Sequence, residues 1–258
     1  AATNWEYAVR DLLLDLGFVQ GVASPCNYRH PHRKIRTTGH GDDFTTLGTF
    51  KEVQWFHESV ANKWNVEFRG ILGPPGCRGC ISTMRHLNRT VSWTHEGITW
   101  EPGPRHVELL VRDVGVSGTS AKTPLVKEKV DDLNTQDVPL QGTAATLYRS
   151  HTMRLGYLAQ DRTDLQRTTR ELAKGMSEPA ERHMVALKHA VRYLRHAPRL
   201  VLVWTHQQSI ERFDIFCDSD HAGCTRTRKS PTGVVAMIGT SQLRSLCRGQ
   251  AVIALSSG

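Results

Sequence analysis

The sequence predicts an α+β fold made of two pieces. Segments with helical periodicity and β-prone runs bounded by turn residues both occur along the 258 residues. Between residues 117 and 142 the pattern dissolves into polar, aperiodic sequence, which we interpret as a linker. Length alone allows one large domain or two ordinary ones, and the interruption favours two pieces.

The first piece is expected to begin with a helix and a set of short strands. Apolar residues recur at helical spacing over residues 4 to 16, and Gly17 marks the end of that helix. Residues 26 to 48 predict three strands, separated by a basic turn and by the turn "GDD". Thr49 and Glu52 have capping-box spacing, so a second helix is expected to start there.

Three further elements are expected before the linker. "VEFRGILGPPG" predicts a strand that ends in a Pro-Gly turn, and "RTVSWTHEGITWE" predicts a hairpin that turns at "THEG". A short helix follows, with Pro104 at its start and Gly115 as its cap.

The second piece is expected to be helical first and then rich in strands. Helices are predicted over residues 143 to 159, 164 to 175 and 179 to 195, with Ser177 as the cap of the last helix. The strands predicted after them are "LVLVW", "RFDIFCD", "TGVVAMI" and "QAVIALS".

Charge distinguishes the two parts of the chain. Residues 1–148 hold 16 basic and 16 acidic side chains, for a net charge of zero. Residues 149–258 hold 17 basic and 9 acidic ones, which is the entire net charge of +8. A basic half predicts a polyanionic partner, most often nucleic acid, although a solvated surface is the alternative.

Composition and cysteine spacing predict an intracellular protein. No stretch of about 18 apolar residues suggests a membrane span, and the first residues lack a secretion signal. The six cysteines do not have the spacing of a disulfide framework. We therefore expect Cys77 and Cys80 of "CRGC" to be reduced thiols in a loop, with a structural zinc as the alternative.

Two adjacent carboxylates lie in the stretch "GHGDDFTTLG". Asp42 and Asp43 would repel each other if their oxygens converged, and a divalent cation would remove that penalty. Two-metal phosphoryl transfer requires several such carboxylates around the metal pair. Asp-Asp is also common in ordinary turns, so a metal site and a polar hairpin tip both remain open here.

A second acidic cluster lies in "FDIFCDSDHAGC". An apolar strand delivers Asp218 at its end, and Asp220 and His221 follow. Metal nucleases often place a first ligand in this way, whereas a polar strand end is the alternative interpretation.

Four stretches, taken in order, resemble the Pol polyprotein of copia-type LTR retrotransposons over nearly the whole chain. "LGFVQGVASPCNY" resembles a family segment in which "LGF" leads to "DPC-Y", and "HGDDFTTLG" stands where the reverse transcriptase has its Asp-Asp hairpin. "YRSHTMRLGYLAQDRTDLQ" resembles the stretch between polymerase and nuclease. "FCDSDHAGCTRTRKSPTGVV" is similar to the opening of the RNase H domain.

The resemblance implies a fold and a domain organisation. The fold class would be α+β, with a partial reverse transcriptase palm and connection, a helical tether and an incomplete RNase H-like β-sheet. Residues 1–116 would be the C-terminal part of the reverse transcriptase and residues 117–142 the linker. Residues 143–199 would form the tether, and residues 200–258 the start of the RNase H domain.

The resemblance also implies chemistry and partners. Asp42 and Asp43 would bind Mg²⁺, or Mn²⁺ instead, in the polymerase site, and Asp218 would be the first metal ligand of the RNase H site. The partners would be an RNA template, a DNA primer, an RNA–DNA hybrid and the remainder of Pol. The implied location is a cytoplasmic virus-like particle or the nucleus, without membrane attachment or secretion.

The chain is expected to be inactive alone. Further carboxylates of both sites would lie before Ala1 and beyond "ALSSG". Thr37 and Thr38 in the strand before Asp42, and Thr163 where the family usually has proline, fit a sequence drifting without selection. A nucleic-acid-binding remnant without catalysis and a decayed relic without function are therefore the alternatives.

Overall fold

The computed structural model describes residues 2–126, 137–224, 227–253 and 255. These residues fold into two compact units, of which one ends at Ile81 and the other begins at Ser82. Helices and antiparallel sheets occur in both units. This content is compatible with the α+β class, while descent from a polymerase palm and an RNase H sheet stays a prediction.

The first unit contains two helices and a four-stranded sheet. Its elements are α1 (Ala2–Asp15), β1 (Val19–Gln20), β2 (Asn27–His30), β3 (Ile35–His40), β4 (Asp43–Leu47) and α2 (Phe50–Ala61). The strands pair antiparallel in chain order, β1-β2-β3-β4. The predicted first helix and the three predicted strands between residues 26 and 48 are confirmed.

One face of this sheet packs against the helices and the other face is open. Along β3, Ile35 and Thr37 are buried, whereas Arg36 and Thr38 between and beyond them are exposed. This alternation follows from the two-residue side-chain period of a strand. The core consists of apolar side chains from both helices, from the connection after α1 and from the inner face of the sheet: Val9, Leu13, Phe18, Tyr28, Ile35, Phe56 and Val60.

Two predictions for the first unit are wrong in part. Thr49 does precede α2, but its side chain makes no capping hydrogen bond. Glu52 instead accepts a hydrogen bond from Arg33, at 2.7 Å, so its carboxylate is engaged elsewhere. The stretch "VEFRGILGPPG" holds no strand and makes only a single bridge, because Gly70 in its middle has a φ of +120°, outside the range of a strand.

The second unit contains four α-helices, a 3₁₀ turn and seven strands among its described residues. The helices are α3 (Arg105–Val114), α4 (Gly142–Leu158), α5 (Gln166–Ala173) and α6 (Glu181–His196), with the 3₁₀ turn at Thr163–Leu165. The strands are β5 (Thr83–His86), β6 (Arg89–Trp93), β7 (Gly97–Pro102), β8 (Leu202–Thr205), β9 (Phe213–Ser219), β10 (Pro231–Ile238) and β11 (Ser241–Gly249).

The helices of the second unit enclose its main core. This core is built from apolar positions of α3 to α6, of the residue that follows α4 and of the 3₁₀ turn: Val107, Leu110, Tyr148, Leu155, Leu158, Ala159, Leu165, Leu172, Leu187, Ala190, Val191 and Leu194. Within α6, Leu187, Val191 and Leu194 are fully buried. The predicted helices and the "THEG" hairpin are confirmed.

The strands of the second unit form two antiparallel sheets. One sheet has the order β5-β6-β7-β8, and the other has the order β11-β10-β9. Thus β8 pairs with β7 across about a hundred residues of sequence rather than with the strands that follow it. The prediction of a strand at "QAVIALS" is wrong over its described residues, because the ladder ends at Gly249 and β11 lies over Ser241–Gly249.

The predicted cap of α6 is also wrong. The residue before the helix is Ala180 rather than Ser177. The Nδ1 atom of His183 accepts a hydrogen bond from the Ala180 amide at 3.0 Å, which satisfies this amide at the helix start.

The two observed units meet inside a segment that was predicted to be one domain. The division between Ile81 and Ser82 falls inside the predicted segment 1–116, and α3 of that segment packs in the helical core with α4 to α6. The central part of the predicted linker, residues 127–136, lies outside the described residues. Residues 117–126 carry no helix or strand.

No helix in the described parts of the chain combines the length and the hydropathy that crossing a bilayer requires.

Candidate functional site

The two adjacent carboxylates lie at the tip of the β3–β4 hairpin. His40 pairs with Asp43, so Gly41 and Asp42 form the two-residue turn. Gly41 has a φ of +63°, a left-handed conformation that glycine adopts without steric cost. The indole N–H of Trp5 donates to the Gly41 carbonyl at 2.8 Å and thereby ties the turn to α1.

The two carboxylates differ in their surroundings. Asp42 is exposed, whereas Asp43 is half-buried and lies 3.3 Å from a guanidinium nitrogen of Arg69. Glu67 is a second carboxylate partner of Arg69, at 3.8 Å. Arg69 therefore supplies a positive charge to Asp43, and a cation that used both Asp43 oxygens would have to displace it.

The structure does not assemble a complete metal site around the predicted ligands. Within the described ranges, no group of three or more His, Cys, Asp or Glu side chains comes together in a way that could hold a metal ion. Asp42 and Asp43 lie in the first unit and Asp218 lies in the second. Two carboxylates are fewer than two-metal phosphoryl transfer requires.

An arginine pair lies on the same open sheet face as Asp43. Arg29 of β2 pairs directly with Arg36 of β3, and both side chains are exposed. Among the described residues, neither guanidinium lies within 4.0 Å of a carboxylate that would offset its charge. Like charges opposite each other destabilise a sheet, so this pair has a cost in stability. Along β3, Arg36 is four residues from His40, or about 14 Å from the carboxylate end at the usual rise.

This arginine pair is suited to bind a polyanion. Together with Asn27 and Thr38 it lines an open depression of about 350 Å³. The side chains offer two cationic forks and neutral hydrogen-bonding groups, which match phosphate oxygens. Sequence reasoning missed the pair, because the excess of basic residues lies in the other part of the chain.

Asp218 lies on the edge strand of the three-stranded sheet. It pairs with Gly233 of β10 and is exposed, and the other side of β9 has no strand partner among the described residues. Its neighbour Asp220 is engaged instead, since Arg167 of α5 donates to it at 2.6 Å. Asp218 is therefore accessible to a ligand, and Asp220 has a structural ion pair.

The motif "RTD" in the stretch between the predicted polymerase and nuclease contains a buried ion pair. Arg162 is 1% exposed and donates to both carboxylate oxygens of Asp164, at 3.0 and 2.7 Å. Tyr193 donates to the same carboxylate at 2.7 Å. Burial acts to raise the pKa of Asp164, but the hydrogen bonds from Arg162 and Tyr193 outweigh it and hold the pKa below its usual value.

A second network of this kind surrounds Asp161. Its two carboxylate oxygens accept hydrogen bonds from Arg89 and from the indole of Trp100, each at 2.9 Å. Both networks hold strands or helix ends in place, so the charged residues in this stretch have structural roles. The R-x-D spacing of Arg162 and Asp164 is a local signal that could have indicated the first network, but the spacing does not encode its burial.

Comparison with known proteins finds similarity over part of the chain. Part of the chain is similar to an Arabidopsis thaliana protein described as "Uncharacterized mitochondrial protein AtMg00810", with 32% identity over 110 residues. The similarity covers 43% of this chain and 45% of that protein, so the chain spans less than half of the relative's length. No family model matches the chain. No solved structure matches it either.

Proposed function

We propose that the chain is a segment of a copia-type retrotransposon Pol polyprotein, joining the C-terminal part of a reverse transcriptase to the start of an RNase H domain. Four motifs in family order support this origin, and the distant similarity to the Arabidopsis protein shows that part of the sequence recurs elsewhere. The proposed location is a cytoplasmic virus-like particle or the nucleus.

One observation carries the polymerase assignment. Asp42 and Asp43 occupy a tight hairpin tip that is tied to α1, and Asp43 shares an open sheet face with Arg29 and Arg36. The two carboxylates offer the hard oxygen donors that Mg²⁺ or Mn²⁺ prefers. Bound there with a further aspartate, the metal would stabilise charge on the transferring phosphate.

The residues of this chain would then bind and orient nucleic acid. Arg29 and Arg36 would contact backbone phosphates of an RNA template and DNA primer, and Asp42 and Asp43 would lie toward the primer end. Arg69 would hold Asp43 in place until the cation replaces it.

Asp218 would have the corresponding role in the nuclease part. The antiparallel order β11-β10-β9, with an aspartate near the end of the first strand, supports this assignment. The open edge of β9 leaves room for the further strand that the RNase H fold would require. The substrate of this nuclease site would be the RNA strand of an RNA–DNA hybrid.

These residues alone should not catalyse either reaction. In the described parts of the chain, neither the Asp42–Asp43 hairpin tip nor Asp218 belongs to a group of three or more His, Cys, Asp or Glu side chains that could hold a metal ion. A second candidate, a nucleic-acid binder without catalysis, is favoured by the arginine pair and by the net charge of +8 carried by residues 149–258.

Substitution in a longer Pol chain that includes the flanking residues tests the two site assignments. Asp42→Asn with Asp43→Asn should abolish primer extension, and Asp218→Asn should abolish hybrid cleavage while leaving extension intact. The matched control is Asp11→Asn, an exposed carboxylate on α1. Extension that survives the double substitution would refute the polymerase assignment, and retained cleavage would remove Asp218 from the nuclease site.

A further inference from the structure

The loop between α2 and the second unit contains a disulfide that the sequence did not indicate. Cys77 and Cys80 are bonded to each other, so the expectation of reduced thiols at "CRGC" is wrong for this structure. The remaining described cysteines, at 26, 217, 224 and 247, are free. The pair therefore differs from every other described cysteine in the chain.

Backbone turns, rather than the sulfur bond alone, bring the two residues together. The Cys80 amide donates to the Cys77 carbonyl at 3.1 Å, and Gly79 has a φ of +83°. This is a type II turn with glycine at the position that requires a positive φ. The preceding turn is of the same kind, with Gly76 at +86° and a hydrogen bond from the Cys77 amide to Pro74.

The loop is built to accommodate this pair. The two Cα atoms are 5.4 Å apart, within the range that disulfides occupy. A side chain at Gly73 would put its Cβ 2.7 Å from the Cys80 sulfur, so only glycine leaves space for that sulfur. Gly79 lies against the ring of Phe50, where a Cβ would be 3.1 Å from two ring carbons. The turn is thus held against the first residue of α2.

The alternative of a structural zinc is not supported by the described residues. Structural zinc sites use four ligands, and no third His, Cys, Asp or Glu from the described part of the chain joins this pair. Cys77 and Cys80 are both partly exposed, so a small thiol in solution can reach them.

We propose that Cys77 and Cys80 form a reversible redox site that exchanges with low-molecular-weight thiols. A thiolate attacks one sulfur of the disulfide, forms a mixed disulfide and releases the other cysteine, which takes a proton from water. A second thiol attacks the mixed disulfide and releases the small-molecule disulfide and the second cysteine. Two thiols are oxidised for each protein disulfide that is reduced. This site is independent of the proposed nucleic-acid function.

The turn makes a specific prediction about the mixed disulfide. Because it holds the partner sulfur close by, the released cysteine attacks the mixed disulfide faster than a second molecule of thiol arrives. The wild-type chain should therefore convert directly between the dithiol and the disulfide, with little mixed disulfide. With Cys80→Ser, Cys77 should accumulate a stable mixed disulfide.

The experiment equilibrates the full chain with glutathione buffers of different redox ratio and maps the cysteines by differential alkylation and mass spectrometry. As the buffer becomes more oxidising, Cys77 and Cys80 should become protected from alkylation at the same redox ratio. Gly79→Val, which strains the turn and collides with Phe50, should lower the effective concentration of the two thiols at least tenfold. The control is Gly118→Val, at an equal φ of +83° with no atom within 4 Å of the added Cβ.

Trypsin gives an independent readout at Arg78, which lies between the two cysteines and is exposed. After cleavage there, the two fragments should stay linked in the oxidised chain and separate in the reduced chain. Cys80→Ser should release them in both conditions and keeps the result interpretable if Gly79→Val fails to fold. Independent alkylation of the two thiols in oxidising buffer, or equal amounts of mixed disulfide in the wild type and in Cys80→Ser, would overturn the proposal.

Discussion

Replacing Arg162 by methionine should destabilise the second unit by about 3–5 kcal/mol, the usual cost of removing one partner from a buried ion pair. The arginine side chain is 1% exposed and donates to the two oxygens of Asp164 and to the carbonyls of Ala197 and Pro198. Methionine fills similar space but donates no hydrogen bond. Asp164 would retain its bond from Tyr193, and both carbonyls would lose their partner.

The pH dependence gives this prediction a second, independent part. In the wild type the pKa of Asp164 lies below its ordinary 3.8, so its stabilising contribution is present above about pH 4 and is lost as the pH falls further. In the variant, burial would act without the arginine and the pKa should rise. As the pH falls, protonation of Asp164 removes the unpaired buried charge in the variant. The difference in free energy of unfolding between the two proteins should therefore shrink.

Urea denaturation followed by circular dichroism measures both effects, at about pH 7 and again at about pH 3.5. The control is Arg167→Met, which breaks the exposed ion pair with Asp220 and should cost no more than about 1 kcal/mol. An Arg162→Met variant as stable as this control, or a difference that stays constant with pH, would refute the reasoning.

Two further predictions concern the second unit. Gly97→Ala should open the β7–β8 pairing and raise the rate of amide hydrogen exchange in β8, because its Cβ would lie 2.1 Å from the Trp204 carbonyl oxygen. The control is Gly156→Ala, where the nearest atom to the added Cβ is at 3.5 Å and exchange should not change. Burial, and then the charge of Arg154, lower the pKa of His151. Its contribution to stability is therefore present above about pH 6.5 and lost as the pH falls further. In His151→Leu, the denaturation midpoint should therefore vary less with pH between about pH 7 and pH 5.

The parts of the fold that sequence could predict are those governed by local periodicity. The first helix ends within one residue of its predicted position, and the strands on both sides of Asp42 and Asp43 were expected from alternating residues and turn signals. A glycine before two carboxylates indicated the hairpin tip correctly, since the positive φ of Gly41 is a local property of the chain.

Long-range pairing was beyond such patterns. Nothing local indicates that β8 completes the β5–β7 sheet, because that choice depends on which apolar faces meet after folding. Strand β5 was missed since its turn uses Leu87 and Asn88, both at positive φ, where leucine is an unusual residue. Strand β11 was assigned too far along the chain because its charged residues, such as Arg244 and Arg248, concealed its alternation.

The candidate sites divide in the same way. The positions of Asp42, Asp43 and Asp218 at a hairpin tip and near a strand end follow from neighbouring residues, so motif spacing could find them. The pairing of Arg29 with Arg36, and of Asp43 with Arg69, depends on strand register and on a loop approach that no spacing encodes.

The most direct test of the proposed function incubates the chain as it is with a labelled RNA–DNA hybrid, with and without Mg²⁺, and scores binding and RNA cleavage together over a series of salt concentrations. We predict salt-dependent binding without cleavage. Arg29→Ala with Arg36→Ala should reduce the salt slope by about 1.8, or about 0.9 for each phosphate that the variant no longer neutralises, while Arg10→Ala should not. Cleavage that requires Mg²⁺ would mean that the chain completes a site by itself, and absent or salt-independent binding would contradict the nucleic-acid function.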